Sequence, residues 1–426
     1  MEEKNLMEET NKEDVIAELT GEELDDLLRK ERAEGRGQGV LFTLIGVSIV
    51  VAILALVFVV FSGINNKKTG IINKDVENKS AYLWKMIEKY YLWDVDEEAA
   101  RDRMYKGMLD SLGDPYSVYY TVDEYNDLME SSSGEYSGIG AYITQNPETK
   151  ECYISRPMPD SPAEKAGVVA NDYIYEVDGE NVLGQDINVV VSKIKGPEGT
   201  KVKIGFKHDN KGEIDTIEIE RHKIEVAMLE KEMLEDNIGY IWIYEFEQKT
   251  FSQFETAFDE LKKEGMEGLI IDLRDNPGGD LEIVVKLCDK FLDEGVIVYT
   301  KDKNGKGHTF KSDAACDKLP IVIITNENSA SASEILTGAL KDRGVAKVVG
   351  TTTFGKGIVQ GVFSLNDGSG VKITESEYYL PNDECIHGVG IEPDYEVDLD
   401  IEAYRKDKNN DAQKNKAIEV LKGLMK

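Results

Sequence analysis

Ser331, Lys356 and Gln360 are the residues whose types and spacing could do chemistry together. A serine hydroxyl attacks a carbonyl only when a base takes its proton, and a lysine amine serves as that base only when neutral. Burial disfavours the charged amine and lowers its pKa towards the working pH. Phe354-Gly355-Lys356-Gly357 supplies a tight turn for such a lysine, because glycines on both sides give backbone freedom and little bulk. Ile358 to Phe363 reads as the strand that follows. The even step from Lys356 to Gln360 predicts that both project from one face, with the glutamine orienting the amine.

The serine needs an element that holds it exposed. Ile321 to Thr325 is a β-branched apolar run, as expected of a strand buried on both faces. A polar turn, Asn326-Glu327-Asn328, leads into small residues from Ser329 to Ser333 and then a helical pattern ending at Gly344. Amides at such a helix start can face a developing oxyanion, and the helix dipole favours negative charge there. The residues alone leave a plainer reading open. Small-residue runs usually serve close packing, and a lysine between glycines is usually solvated.

Three motifs in order carry a resemblance. Ser329 to Glu334, the turn and strand from Phe354 to Gln360, and Asp272-Leu273-Arg274-Asp275-Asn276-Pro277-Gly278-Gly279 together resemble the carboxyl-terminal processing proteases, the tail-specific serine peptidases with a Ser–Lys dyad. The resemblance runs from about residue 76 to about residue 400. It implies Ser331 as nucleophile, Lys356 as general base, Gln360 as its orienter, and the Gly278 and Ala332 amides as the oxyanion hole. It implies no metal and no cofactor, and protein or peptide substrates with accessible carboxyl termini.

Composition narrows the field. A chain of 426 residues is long enough for substantial cores in more than one domain. A formal charge of -32 leaves no basic excess to neutralise phosphates, which argues against nucleic acid and against adhesion to anionic lipid surfaces. The four cysteines show no CxxC or metal spacing. Cys152 and Cys288 sit in apolar patterns as plain buried thiols, while Cys316 and Cys385 lie in polar settings where a disulfide is conceivable.

Residues 1–38 form a charged tail, expected on the cytoplasmic side. Val40 to Phe61 is uncharged, apolar and long enough to span a bilayer, and no A-x-A-like cleavage site follows it. Residues 39–62 are therefore expected to be an uncleaved single-pass anchor. The Arg29, Lys30, Arg32 and Arg36 cluster slightly favours the amino terminus inside. The family's usual placement agrees, putting the protease domain on the extracytoplasmic side of the cell membrane.

Residues 63–133 read as a linker and a helical domain, with the aromatics Tyr82, Trp84, Tyr90, Tyr91 and Trp93 expected in its core. The stretch from Gly107 to Ser117 resembles the family's signature ahead of its PDZ domain.

Residues 134–226 read as that PDZ domain, a β-rich α+β module. Its Gly138, Ile139 and Gly140 resemble the carboxylate-binding loop that holds a peptide end added to a sheet edge. Lys195, before Gly196-Pro197-Glu198-Gly199, is a candidate basic contact coupling peptide binding to the active site.

Residues 227–400 read as an α/β protease core with a βαβ start, and 401–426 as a carboxyl-terminal helix used for packing or between subunits. A homodimer is the assembly the resemblance suggests.

The reading is thus an α/β multidomain, membrane-anchored serine endopeptidase with PDZ-assisted recognition or gating. Its alternatives are a PDZ-based membrane adaptor with an inactive protease domain, and an acyl hydrolase that does not act on peptides. His387 as the base of a Ser–His pair is a further rival, but no GxSxG elbow accompanies it.

Overall fold

The computed structural model describes residues 70–426 together with Asp25, Asp26, Arg29 and Lys30. The charged tail and the apolar run Val40–Phe61 fall almost wholly outside the described residues. Among the described residues no helix is long and apolar enough to cross a membrane. The chain divides into two compact units, Met1–Asp96 and Glu97–Lys426.

In the first unit, α1 (Lys74–Tyr90) starts where the Asn73 carboxamide oxygen accepts from the Asp75 and Val76 amides at 3.0 and 3.1 Å. No residue of α1 is buried. Tyr82, Tyr90, Tyr91 and Trp93 are exposed, not core. Aromatic spacing marked an amphipathic helix, but no described element of this unit covers its apolar side.

The second unit opens with α2 (Glu97–Asp110), β1 (Val118–Tyr120) and α3 (Val122–Ser133). Thr121 and Glu124 form a capping box at the start of α3, with bonds of 2.9 and 3.3 Å. The stretch read as helical is interrupted by β1, whose partner is a strand of the protease domain.

The next module follows as β2 (Glu135–Gly138), β3 (Ala141–Gln145), β4 (Cys152–Pro157), α4 (Pro162–Lys165), β5 (Asp172–Val177), β6 (Glu180–Asn181), α5 (Ile187–Ile194), β7 (Lys201–His208), β8 (Asp215–Glu220) and β9 (His222–Glu225). Its main sheet runs β3-β4-β5-β7-β8, with β6 on β5, while β2 pairs with β9. Alternating inward residues, among them Ile154, Ile174, Val202 and Ile204, close its core with Val190 and Ile194 of α5. β3 lies at the sheet's edge, its outer side unpaired among the described residues, and α5 packs beside it.

The protease domain runs β10 (Leu229–Leu234), β11 (Ile238–Ile243), α6 (Thr250–Lys263), β12 (Gly268–Asp272), α7 (Leu281–Asp289), β13 (Gly295–Asp302), β14 (Thr309–Ser312), β15 (Ile321–Thr325), α8 (Ala332–Asp342), β16 (Ala346–Gly350), β17 (Ile358–Ser364), β18 (Gly370–Tyr379), β19 (Tyr395–Glu396), α9 (Ile401–Lys406) and α10 (Ala412–Leu424). One sheet has the order β10-β11-β12-β15-β16-β19 and is parallel from β11 onwards. Every residue of β12 and β15 is buried, which is why both read as unbroken apolar runs. Phe254, Phe258, Leu287 and Leu336 of α6, α7 and α8 cover one face, and Ala417, Val420 and Leu421 of α10 cover the other.

The second sheet is antiparallel, β1-β18-β13-β14, with β17 also on β18. Its longest strand, β18, runs unbroken from Gly370 to Tyr379. That length lets a single strand hold β1, β13 and β17 at once.

Arg274, 9 % exposed, fastens α10 to the parallel sheet. Its guanidinium donates to Asp411 at 3.0 and 2.8 Å and to the fully buried Asp272, which also accepts from the Tyr240 hydroxyl at 2.6 Å. Asp411 in turn caps α10 through the Lys414 amide at 2.9 Å. Removing one partner of a buried, hydrogen-bonded pair leaves a charge uncompensated, at about 3–5 kcal/mol. Asp411→Ala is therefore expected to lower urea-unfolding stability by roughly that amount, and a loss below about 1 kcal/mol would show that α10 is not held this way.

Candidate active site

Ser331 stands at the junction of β15 and α8 with φ 55° and ψ -112°, a conformation that costs a residue with a side chain about 1–3 kcal/mol unless its neighbours hold it. Its amide donates to Glu334 Oε2 at 2.9 Å. Its carbonyl accepts from the Glu334 and Ile335 amides at 2.9 and 3.0 Å and from the buried Tyr378 hydroxyl at 3.3 Å. The small residues around it act as braces. Ser329 Oγ donates to the Leu273 carbonyl at 2.8 Å, Ser333 Oγ to the Asn276 carbonyl at 3.0 Å, and the Ala330 amide to that same carbonyl at 3.0 Å. Asp275 adds an outer latch, accepting from the Asn326 and Asn328 side chains at 2.9 and 2.7 Å.

Gly278 sits against the serine. A Cβ there would lie 2.7 Å from the Ala330 carbonyl oxygen, 2.8 Å from Ser331 Cβ and 2.9 Å from the Ala332 nitrogen, so glycine is required by contact and by its φ of 107°. Its amide, however, donates to Asn276 Oδ1 at 2.9 Å. Of the two amides expected to form an oxyanion hole, Gly278's is thus engaged. The Ala332 amide, first in α8, has no acceptor among the described residues.

Lys356 lies in the turn between β16 and β17. The closing segment explains the flanking glycines: Gly355 and Gly357 would each drive a Cβ into backbone, at 2.9 Å from the Gly390 nitrogen and 2.5 Å from the His387 nitrogen. The turn is tied to the serine by one side chain. Glu334, with no exposed surface, accepts from the Lys356 amide at 2.8 Å, the Gly355 amide at 2.7 Å and the Thr353 hydroxyl at 2.6 Å, besides the Ser331 amide. A single carboxylate therefore fixes both backbones that carry the candidate dyad.

The lysine side chain is half-buried, and its Nζ lies 4.6 Å from the centre of the Tyr116 ring. Burial lowers its pKa below the usual lysine value. Lys372 pushes the same way, and Asp114 and Glu334 oppose. No hydrogen bond joins Lys356 to Ser331 among the described residues, as is common before substrate binds. Gln360 makes no hydrogen bond to the Lys356 amine among the described residues. The strand begins only at Ile358 and carries a register shift between Val359 and Gln360, which breaks the even-step alternation. Its amide donates instead to Thr374 Oγ1 at 3.3 Å.

Sequence reasoning missed Asp114, Tyr116, Ser117, Glu334 and Thr374. The stretch from Gly107 to Ser117 falls, by its sequence pattern, within the helical domain of residues 63–133. Nothing in its composition shows that β1 pairs with β18 and brings Tyr116 to the lysine. The signal for Glu334 was present, since a glutamate at the third position of a helix marks a capping box. Here its carboxylate reaches the Ser331 amide.

His387 is exposed and makes no hydrogen bond to Ser331 among the described residues. The four cysteines are free, so the disulfide conceivable between Cys316 and Cys385 is not formed. In the PDZ-like module, the Ile139 and Gly140 carbonyls accept from the Ala163 and Met158 amides at 2.8 and 3.0 Å. They fix the Gly138–Gly140 loop between β2 and the free edge of β3. Lys195 pairs with Glu130 of α3 and lies 5.2 Å from the Tyr136 ring. It joins that module to the helix beside it and not to Ser331.

A strained serine at a strand–helix junction, braced against a glycine-rich loop and tied through Glu334 to the turn of a half-buried lysine, is an arrangement consistent with a hydrolase of the serine type. Residues 237–397 match the Peptidase family S41 model, 153–207 a PDZ domain, and 62–124 the "Activating protease CtpB N-terminal domain". The chain is 34 % identical over 393 residues to a "Probable CtpA-like serine protease" of Staphylococcus haemolyticus, spanning 91 % of this chain and 78 % of that one. It is 35 % identical over 365 residues to the "Carboxy-terminal processing protease CtpA" of Bacillus subtilis, spanning 84 % and 77 %. Among solved structures, the "Photosystem II D1 C-terminal processing protease" aligns at 30 % identity over 74 % of this chain and 86 % of that one, with a TM-score of 0.44. The chain belongs to the carboxyl-terminal processing proteases of family S41, with a PDZ domain.

The buried carboxylate yields a direct expectation. Glu334→Gln turns one accepting oxygen into a donor facing donors, which misplaces the two backbones. A misplacement of about 1 Å can cost roughly 10²-fold in rate. Proteolysis of β-casein is expected to fall at least that far, with a midpoint loss in urea of about 1–3 kcal/mol. Retained activity would show that the link is not needed.

Proposed function

We propose that the protein is a membrane-anchored endopeptidase that cuts polypeptides near their carboxyl ends through a Ser331–Lys356 dyad. The observation that carries the reading is the bridge from Ser331 to the Lys356 turn through Glu334, beside a lysine whose burial favours the neutral amine. Ser331 Oγ attacks the scissile carbonyl while neutral Lys356 takes its proton. The oxyanion is met by the Ala332 amide, and by the Gly278 amide once its bond to Asn276 opens. The Lys356 ammonium then protonates the leaving amine, and a water that the amine deprotonates frees the acyl-enzyme.

Gln360 contributes indirectly, by holding Thr374 on the strand beside the lysine. The free edge of β3 and the Gly138–Gly140 loop suit a substrate's carboxyl end added as a strand, and the Lys195–Glu130 pair offers a path by which such binding could reach α3.

Mass spectrometry of β-casein fragments tests the dyad. Wild type is expected to cleave, while Ser331→Ala and Lys356→Ala, both folded by circular dichroism, are expected to be inactive. Full activity in Lys356→Ala would end the proposal. Peptide binding without cleavage in all three would favour the adaptor reading. Because a lysine base works only when neutral, kcat/KM should rise with pH and level off above the lowered pKa of Lys356; a rate falling over that range would contradict its role.

The anchor rests on the uncharged sequence from Val40 to Phe61. In cells, the full chain is expected to stay with membranes through alkaline carbonate extraction and to be digested by protease added outside. Deleting residues 39–62 should release it.

A further inference from the structure

The amino-terminal stretch ahead of β1 enters the candidate active site. Asp114 Oδ1 accepts from the Tyr116 amide at 2.9 Å, and its Oδ2 accepts from Ser117 Oγ at 2.6 Å. Ser117, buried, takes the Thr374 amide at 3.0 Å, and Thr374 Oγ1 accepts from Gln360. A continuous string of bonds thus runs from Gln360 on β17, across β18, to the backbone of Tyr116. The antiparallel pairing of Val118 with Lys372 and Tyr120 with Gly370 locks the segment in register. What this construction delivers is the face of the Tyr116 ring, 4.6 Å from Lys356 Nζ.

We propose that Tyr116 is a positioning residue for the reaction: its ring face holds the Lys356 amine beside the nucleophile and sets how readily that amine gives up its proton. An aromatic face attracts an ammonium and not a neutral amine, so the ring favours the charged, resting form of the lysine. The other charged groups facing this amine are Lys372 of β18, which disfavours its charge, and Asp114 and Glu334, which favour it. Lys372 Nζ itself lies 5.7 Å from the Tyr120 ring, so the two cations are held on separate rings. Burial keeps the pKa below the usual value, and the ring limits how far it falls. The inference rests on the reading of Lys356 as base and adds the group that tunes it.

The test is an NMR titration of the full-length chain in detergent, with 13C-lysine and Ser331→Ala to prevent self-cleavage. The Lys356 Cε resonance is assigned by its loss in Lys356→Arg. Tyr116→Leu and Tyr116→Met remove the ring face and keep apolar bulk, while Tyr116→Phe keeps the face and loses only the hydroxyl. The two ringless variants are expected to titrate lower by about half to one and a half pH units. Tyr116→Phe should overlay the parent. With Ser331 restored, the rising limb of kcat/KM on β-casein should move the same way.

Midpoints in either folded ringless variant that coincide with the parent would overturn the proposal, as would a Tyr116→Phe midpoint that moves with them. Having two ringless variants guards against one failing to fold. If Lys356→Ala stays active, the base reading itself has failed and the tuning role falls with it. If Lys356→Ala is inactive and the midpoints do not move, only the role of Tyr116 has failed.

Discussion

The fully buried carboxylate of Glu334 is the interaction on which the site depends. A buried anion is costly unless its lone pairs are filled. Here they are filled by three backbone amides and one hydroxyl, and it lies in the first turn of α8, where the helix dipole favours negative charge. None of these donors is itself a catalytic atom. They belong to the backbones on either side of the chemistry, the serine's own amide and the turn that carries the lysine. The carboxylate therefore converts two loops from different sheets into one rigid piece, and the unusual φ of Ser331 persists because its amide has somewhere to go.

The two sheets divide the work. The parallel sheet, covered on both faces, ends β15 at the serine and β12 at the Gly278 loop, so their separation is set by adjacent strands of one core. The antiparallel sheet brings the lysine turn ahead of β17 and, through β18, the Tyr116 segment. Most hydrogen bonds around Ser331 are therefore made before a substrate arrives, which is the form of preorganisation that electrostatic catalysis requires. The exception is the Gly278 amide, held by Asn276, and Ser331 and Lys356 share no hydrogen bond among the described residues.

Much of this was legible in the sequence. Buried parallel strands announce themselves as apolar runs, so β15 from Ile321 to Thr325 and the turn and helix after it agree with the sequence reading. Gly355 and Gly357 read in the sequence as giving the lysine turn freedom and little bulk, and the structure shows the backbone atoms that leave no room for a Cβ there. The failures have a common cause. Alternation placed Gln360 beside Lys356, but a register shift at Val359 is invisible to a period-two rule. Helical spacing put Tyr82, Tyr90 and Trp93 in a core, but spacing reports a face and not what covers it. The segment around Tyr116 joins β18 across some 250 residues of chain, the separation of 257 between Ser117 and Thr374, and no local pattern records such a pairing.

The most direct measurement of the central claim is the intact mass of the protein after a fluorophosphonate probe, followed over time at alkaline pH. A single adduct mapped to Ser331 is expected in the wild type, forming far more slowly in both Lys356→Ala and Glu334→Gln. Equal labelling rates in all three would contradict a serine activated by Lys356 and held in place by Glu334.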